Sequence, residues 1–179
     1  GPVLVTGASG GVGSIAINML AGRGYEVIAV SGKPEADAFL LELGAARILR
    51  RQDIDLGSRP MEKVLWAGAI DNVGGELLTW LTRTVDLWGN IASIGLAGSA
   101  DLNTTVMPFI LRGVNLLGIN SSATLRETRL VVWNRIGTDL RPGKLDRICT
   151  KVVPFAELPA QFDDYLKGRV TGRTVVKIA

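Results

Sequence analysis

The chain has 179 residues, enough for one packed domain that buries ~70% of the surface exposed by its unfolded form. Apolar residues make up 47%, which excludes a disordered chain. The 20 basic and 17 acidic residues are scattered, Arg50-Arg51 being the only adjacent basic pair, so there is no nucleic-acid-binding stripe.

Absent residue types exclude more. With no histidine and a single cysteine, Cys149, this chain alone can assemble neither a zinc site nor a Ser-His-Asp triad nor an internal disulfide. That cysteine usage suits a reducing cytoplasm. Arg112 interrupts the most apolar run, FILRGVNLLG, well short of the ~20 residues of a membrane span. No signal peptide opens the chain, and its Gly1-Pro2 start, running straight into a strand, is expected to be a cut.

Taken in order, the elements alternate. Val3–Thr6 reads as a buried strand, and Val12, Ile15, Ala16, Met19 and Leu20 trace the apolar face of a helix that ends at Gly22–Gly24. Glu26–Val30 is a second strand; Pro34 opens a helix that Gly44 closes. Strands at Arg47–Leu49 and Leu65–Ile70 follow, then a helix at Glu76–Val85 and strands at Asn90–Ile94 and Asn115–Ile119. A helix from about Leu125 to Thr138 completes the series. This predicts an α/β doubly wound parallel sheet of about six strands, with helices on both faces. After Pro142-Gly143 the texture changes: a strand at Lys151–Phe155, a helix at Glu157–Lys167 and a strand at Thr174–Ile178 read as an appendage. The expected division is 1–149 and 150–179.

The stretch TGASGGVG, Thr6 to Gly13, joins the first strand to the first helix. Such a turn leaves free N–H groups and the positive end of a helix dipole facing outward, which suits a phosphate. It reads as the G-x-G-x-x-G dinucleotide fingerprint with Ala8 in the first glycine's place, tolerable if φ there stays negative. Thr6, Ser9, Gly10, Gly11, Val12 and Gly13 are its candidate cofactor residues. The stretch also fits the short-chain dehydrogenase pattern T-G-x-x-x-G-x-G. That class needs Tyr-x-x-x-Lys, and the fourth residues after Tyr25 and Tyr165 are Ala29 and Arg169, so this reading fails.

The second strand ends in VIAVSGK. Ser31 stands where an NAD-binding fold places a carboxylate on the ribose 2′-hydroxyl, and Lys33 follows. A hydroxyl and an ammonium suit the 2′-phosphate of NADPH, and Arg47, at the start of the third strand, is a second candidate cation on that edge. Small residues at Asp71-Asn72-Val73-Gly74-Gly75 and Ile94-Gly95-Leu96-Ala97-Gly98 end the fourth and fifth strands, leaving room for a ribose and a nicotinamide ring.

TGASGGVG, VSGK, WAGAIDNVGG, GNIASIGLAG and MPFILRGVNLLGINS, in this order and spacing, resemble zinc-independent medium-chain dehydrogenases/reductases. They are similar in particular to the quinone-oxidoreductase-like subgroup that includes acryloyl-CoA reductase. The resemblance runs to the terminal Gly172-Arg173-Thr174-Val175-Val176. It implies NADPH-dependent reduction of an activated C=C bond in an enoyl thioester, quinone or enone. It also implies that Ser9 to Val12 hold the pyrophosphate and that Ser31 and Lys33 hold the 2′-phosphate. Asn72 and Ile94–Leu96 would flank the nicotinamide ribose and ring, and Ile119 and Asn120 would close over the carboxamide. The subgroup often has arginine at Lys33, whose bidentate fork lysine lacks, and aspartate at Asn120. Family members begin with a substrate domain missing here, which residues 150–179 return to complete. No catalytic residue is therefore expected in this chain. An edge strand at 115–119 pairs across a two-fold axis in the related family, which implies a homodimer. The alternative function is a non-catalytic NADPH-binding sensor or interaction module. A site for S-adenosylmethionine or FAD is disfavoured by Ser31-Gly32-Lys33.

Overall fold

The computed structural model describes residues 1–178. Six parallel strands form one sheet: β1 (Val3–Val5), β2 (Val27–Ser31), β3 (Arg47–Arg50), β4 (Trp66–Asp71), β5 (Val85–Ser93) and β6 (Asn115–Gly118). Their order is β3-β2-β1-β4-β5-β6, which reverses direction at β1/β4 and so opens a crevice above the carboxyl ends there. The expected doubly wound architecture is the observed one.

Each face of the sheet has its own core. On one side α1 (Gly11–Ala21) and α2 (Asp37–Leu43) pack Ile17, Leu40 and Leu43 against Val5, Val27 and Ala29. On the other, α3 (Gly75–Thr84) sets Leu77, Trp80 and Leu81 against Leu4, Ile28, Val85 and Ile91. Trp66 and Trp80 meet edge to face, with ring centroids 5.7 Å apart. A further tie comes from Asn18. Its Nδ2 donates to the Leu43 carbonyl (3.1 Å) and its Oδ1 accepts from the Lys144 N–H (3.0 Å), joining α1 to the end of α2 and to a distant loop.

Several boundaries differ from the sequence reading. Val85 begins β5 and does not end α3, so β5 starts five residues before the expected Asn90. A short helix, α4 (Met107–Arg112), precedes β6; Pro108 sits in its first turn, and Gly113 ends it at φ +61°. After α5 (Arg126–Gly137) and α6 (Leu145–Ile148), strands β7 (Cys149–Pro154) and β8 (Arg173–Lys177) form a separate two-stranded parallel sheet. The expected helix Glu157–Lys167 is broken into 3-10 turns at Phe155–Glu157 and Pro159–Gln161 followed by α7 (Phe162–Leu166). Pro159 is the cause: it has no N–H to give and its ring crowds the preceding turn.

Candidate cofactor site

The crevice holds a cavity of about 590 Å³ at the carboxyl ends of β1, β2, β4 and β5. Its floor is the glycine loop, Gly7 to Gly13. The positive φ of this loop falls on Gly7 (+57°), and Ala8 keeps a negative one, so alanine in the first glycine's place carries no strain. Gly13 is the contact that seats α1 on β1. A methyl group there would run into the Gly7 carbonyl and the Ala8 backbone. No side chain caps the N-terminus of α1, and the N–H groups of Gly11, Val12 and Gly13 have no acceptor among the described residues. Three donors therefore point from a helix N-terminus into the cavity, the arrangement that binds a pyrophosphate.

Asp71, fully buried, locks the two central strand ends together. It accepts from Thr6 Oγ1 (2.7 Å) and from the Gly74 N–H (2.9 Å). Asn72 closes the knot from the other side, its Nδ2 donating to the Thr6 carbonyl (2.8 Å) and its N–H to Thr6 Oγ1 (2.9 Å). Gly95 lies so close to Asn72 that a methyl on it would overlap the Asn72 carbonyl oxygen. These contacts fix the two lips of the crevice where a ribose would lie.

At the β2 end, Ser31 is buried and its Oγ accepts the Lys33 N–H (3.1 Å), which leaves the hydroxyl proton free to donate. The Lys33 ammonium reaches across to the Val170 carbonyl (2.6 Å). Burial pushes its pKa below the ordinary lysine value, and Glu35 opposes this in part.

Of the expected cofactor residues, Ser9, Gly10, Gly11, Val12, Gly13, Ser31, Lys33, Asn72, Ile94 and Gly95 line this one cavity. Five do not, and the reasons are geometric. Arg47 is a correction: the register Ile28↔Arg47 puts it at the amino end of β3, away from the crevice. The cation that β3 delivers is Arg51, just past its carboxyl end. Thr6 is wholly buried and serves the Asp71 knot. Leu96 is 68% exposed and is not part of the lining, although its neighbours Gly95 and Ala97 are. Ile119 continues the pairing of β6 through its N–H to the Ser93 carbonyl (3.0 Å), and Asn120 Oδ1 caps its own turn by accepting from Ser122 Oγ and the Ala123 N–H.

The sequence reading missed the fourth wall. Tyr165, Gly168, Val170 and Gly172 come from the tail and line the cavity opposite the glycine loop. The Gly172 N–H donates to the Ser9 carbonyl (2.8 Å), and the Arg173 side chain lies over Gly11, where a methyl would strike it. A cation thus faces the N-terminus of α1. The only signal in the sequence was the spacing of Gly168 and Gly172 before a strand.

The family description "Zinc-binding dehydrogenase" matches residues 11–134. The acrylyl-CoA reductase AcuI of Ruegeria pomeroyi is 47% identical over 179 residues, 99% of this chain and 54% of that protein. Among solved structures, the YhdH oxidoreductase of Salmonella enterica in complex with NADP superposes with a TM-score of 0.94 at 45% identity, covering 100% of this chain and 55% of that one. The YhfP protein of Bacillus subtilis with NAD bound gives 0.95 at 44%, covering 99% and 54%. The chain therefore spans about half the length of the relatives it matches. With a match that runs from the end of the glycine loop through β2 to β6 and into α5, the chain belongs to the zinc-binding dehydrogenase family.

Proposed function

We propose that this chain is the NADP(H)-binding part of an oxidoreductase that passes hydride to an activated C=C bond. The substrate would be an enoyl thioester such as acryloyl-CoA, or a quinone or enone. One observation carries the reading: a helix N-terminus with three unpaired N–H groups faces the same cavity as Ser31 and Lys33, and no carboxylate stands at the end of β2. The residues fit the group. Gly11, Val12 and Gly13, aided by Arg173, would hold the pyrophosphate, and Ser31 and Lys33 the 2′-phosphate, with Arg51 close by. Asn72, Ile94 and Gly95 would bound the nicotinamide ribose. When bound, the dinucleotide supplies the hydride from nicotinamide C4. The chain would orient it: the Asp71 knot sets the distance between the two lips, and the tail, tied to Ser9 by the Gly172 N–H, would shield the pyrophosphate from water.

The substrate-positioning groups belong to a domain beyond this chain, which residues 150–179 would complete. Two copies would pair through the strand at 115–119, and the protein would work in the cytoplasm, as its single cysteine suits. Among the described residues no helix is long and apolar enough to cross a membrane. The test is NADPH oxidation by the protein at the full length of its relatives, with acryloyl-CoA and with its saturated counterpart. Consumption of NADPH with the unsaturated thioester alone supports the reading. No turnover with any enoyl thioester, quinone or enone would sink it.

A further inference from the structure

The Lys33 ammonium, at the end of β2, is held by a main-chain carbonyl 137 positions further on, that of Val170 (2.6 Å). No carboxylate among the described residues pairs with it, although Glu35 stands two positions away. A neutral acceptor matters here. A carboxylate would orient the ammonium and cancel its charge, whereas a carbonyl orients it and leaves the charge in place. An ammonium has three N–H donors, and only one is used on Val170, so the others remain for an anion. Lys33 and Val170 both line the cavity.

Val170 lies at the middle of a strap, residues 168–172, whose two ends are fixed without help from Lys33. At the first end the Gly168 N–H donates to the Tyr165 carbonyl (3.0 Å) and Arg169 pairs with Asp164 (2.6 Å). At the second, Thr150 Oγ1 donates to the Thr171 carbonyl (2.6 Å) and the Gly172 N–H to the Ser9 carbonyl (2.8 Å). Gly172 has a φ of +67°, and a methyl on it would overlap the Ile148 carbonyl oxygen. Fixed backbone thus presents an acceptor to a side chain on a flexible four-carbon stem. Lysine is among the side chains that lose most rotamer freedom on being ordered, and ordering it before the ligand arrives raises affinity.

We infer that the Val170 carbonyl positions Lys33 for a 2′-phosphate, so that the strap supplies part of the selectivity for NADPH and NADPH in turn tightens the strap. The inference rests on the 2′-phosphate reading proposed above and deepens it. Val170 acts through Lys33 and is a positioning residue. The two effects are reciprocal: the factor by which the closed strap raises NADPH affinity is the factor by which NADPH favours the closed strap. NADH carries the pyrophosphate that Arg173 would meet but has no phosphate for Lys33. A ligand shifts an equilibrium only by its differential affinity for the two states, so NADH tightens the strap less. The difference between the dinucleotides isolates Lys33.

The test is hydrogen exchange across residues 168–173 in the protein at the full length of its relatives, saturated with NADPH or with NADH. Exchange there is about fivefold slower or more with NADPH than with NADH. In Lys33→Met, saturated with each in turn, the difference disappears. Equal exchange in a wild-type protein that binds NADPH more tightly overturns the inference and leaves the 2′-phosphate reading standing. Faster exchange with NADPH also overturns it, because the phosphate would then have drawn the ammonium away from Val170. A difference that survives in Lys33→Met does the same, since the strap would be sensing the phosphate by another route. Equal affinity of the wild-type protein for the two dinucleotides overturns the 2′-phosphate reading itself, and this inference with it.

Discussion

The sheet and the chain beyond it are built to different specifications. In the sheet, Leu4, Ile17, Ile28, Leu81 and Ile91 have no exposed surface, and each face has a complete core. In α5 no residue is buried, although Leu130, Val131, Val132 and Trp133 stand in a row. These four fill one turn of the helix, between the polar turns Arg126–Arg129 and Asn134–Arg135, and leave four large apolar side chains in solvent. The tail repeats the pattern, with Leu166 85% and Phe155 61% exposed. The strands and covering helices of the first 120 residues or so bury most of their apolar side chains, Leu87, Trp88, Ile110 and Leu111 at one corner being exceptions. The remainder presents surface made to be covered, apart from the stretch that closes over the glycine loop.

Unfolding measurements sharpen this contrast most. Leu81→Ala, in the β4–α3 core, is expected to cost about 2–5 kcal/mol in urea denaturation. Leu130→Ala, on α5, should stay within about 0.5 kcal/mol. Equal costs would erase the distinction.

Gly13→Ala attacks the seam between loop and helix. The added methyl meets main-chain atoms of Gly7 and Ala8, which cannot swing aside. Overpacking of this kind costs about 1–3 kcal/mol, and both melting temperature and dinucleotide affinity should fall. Retained affinity for NADPH would mean that the loop geometry matters less than argued.

A smaller and more selective effect is expected at the rim. Lys33→Met should weaken NADPH about ten- to a hundredfold, given about 1.5–3 kcal/mol for a hydrogen bond to a charged group, and leave NADH unchanged. Parallel losses for both would show that Lys33 supports the tail through Val170 and does not read the phosphate.

The smallest effect is a pH dependence. The cationic form of Lys33 is the one that attracts a phosphate, and burial lowers its pKa. The proton is therefore lost as pH rises, earlier than from an ordinary lysine, and NADPH affinity should decline on the alkaline side while NADH affinity stays level. Lys33→Arg should hold its NADPH affinity to higher pH, because guanidinium does not deprotonate there.

What could be read from the sequence follows the same division. The strand-turn-helix at Val3–Ala21 was legible because apolar period and glycine breakers are local signals, and the alternation that follows leaves few topologies. Arg47 was misplaced although its place at the start of the third strand was legible: in a parallel sheet the ligand lies beyond the carboxyl ends, and the register with β2 puts Arg47 at the opposite end. The tail's part was hidden for a different reason. Much of it is made by main-chain atoms, the Val170 carbonyl and the Gly172 N–H, and no residue type advertises a contact across more than 130 positions. The broken helix at 157–167 was the opposite case, since Pro159 was visible and its effect was local.

The central claim is that one crevice reads the pyrophosphate through α1 and the 2′-phosphate through Ser31 and Lys33. Its most direct test is titration of the protein with NADPH and with NADH, followed through tryptophan fluorescence. The account predicts that NADPH binds about tenfold more tightly or better. Equal affinity for the two dinucleotides, in protein shown to be folded, would contradict it.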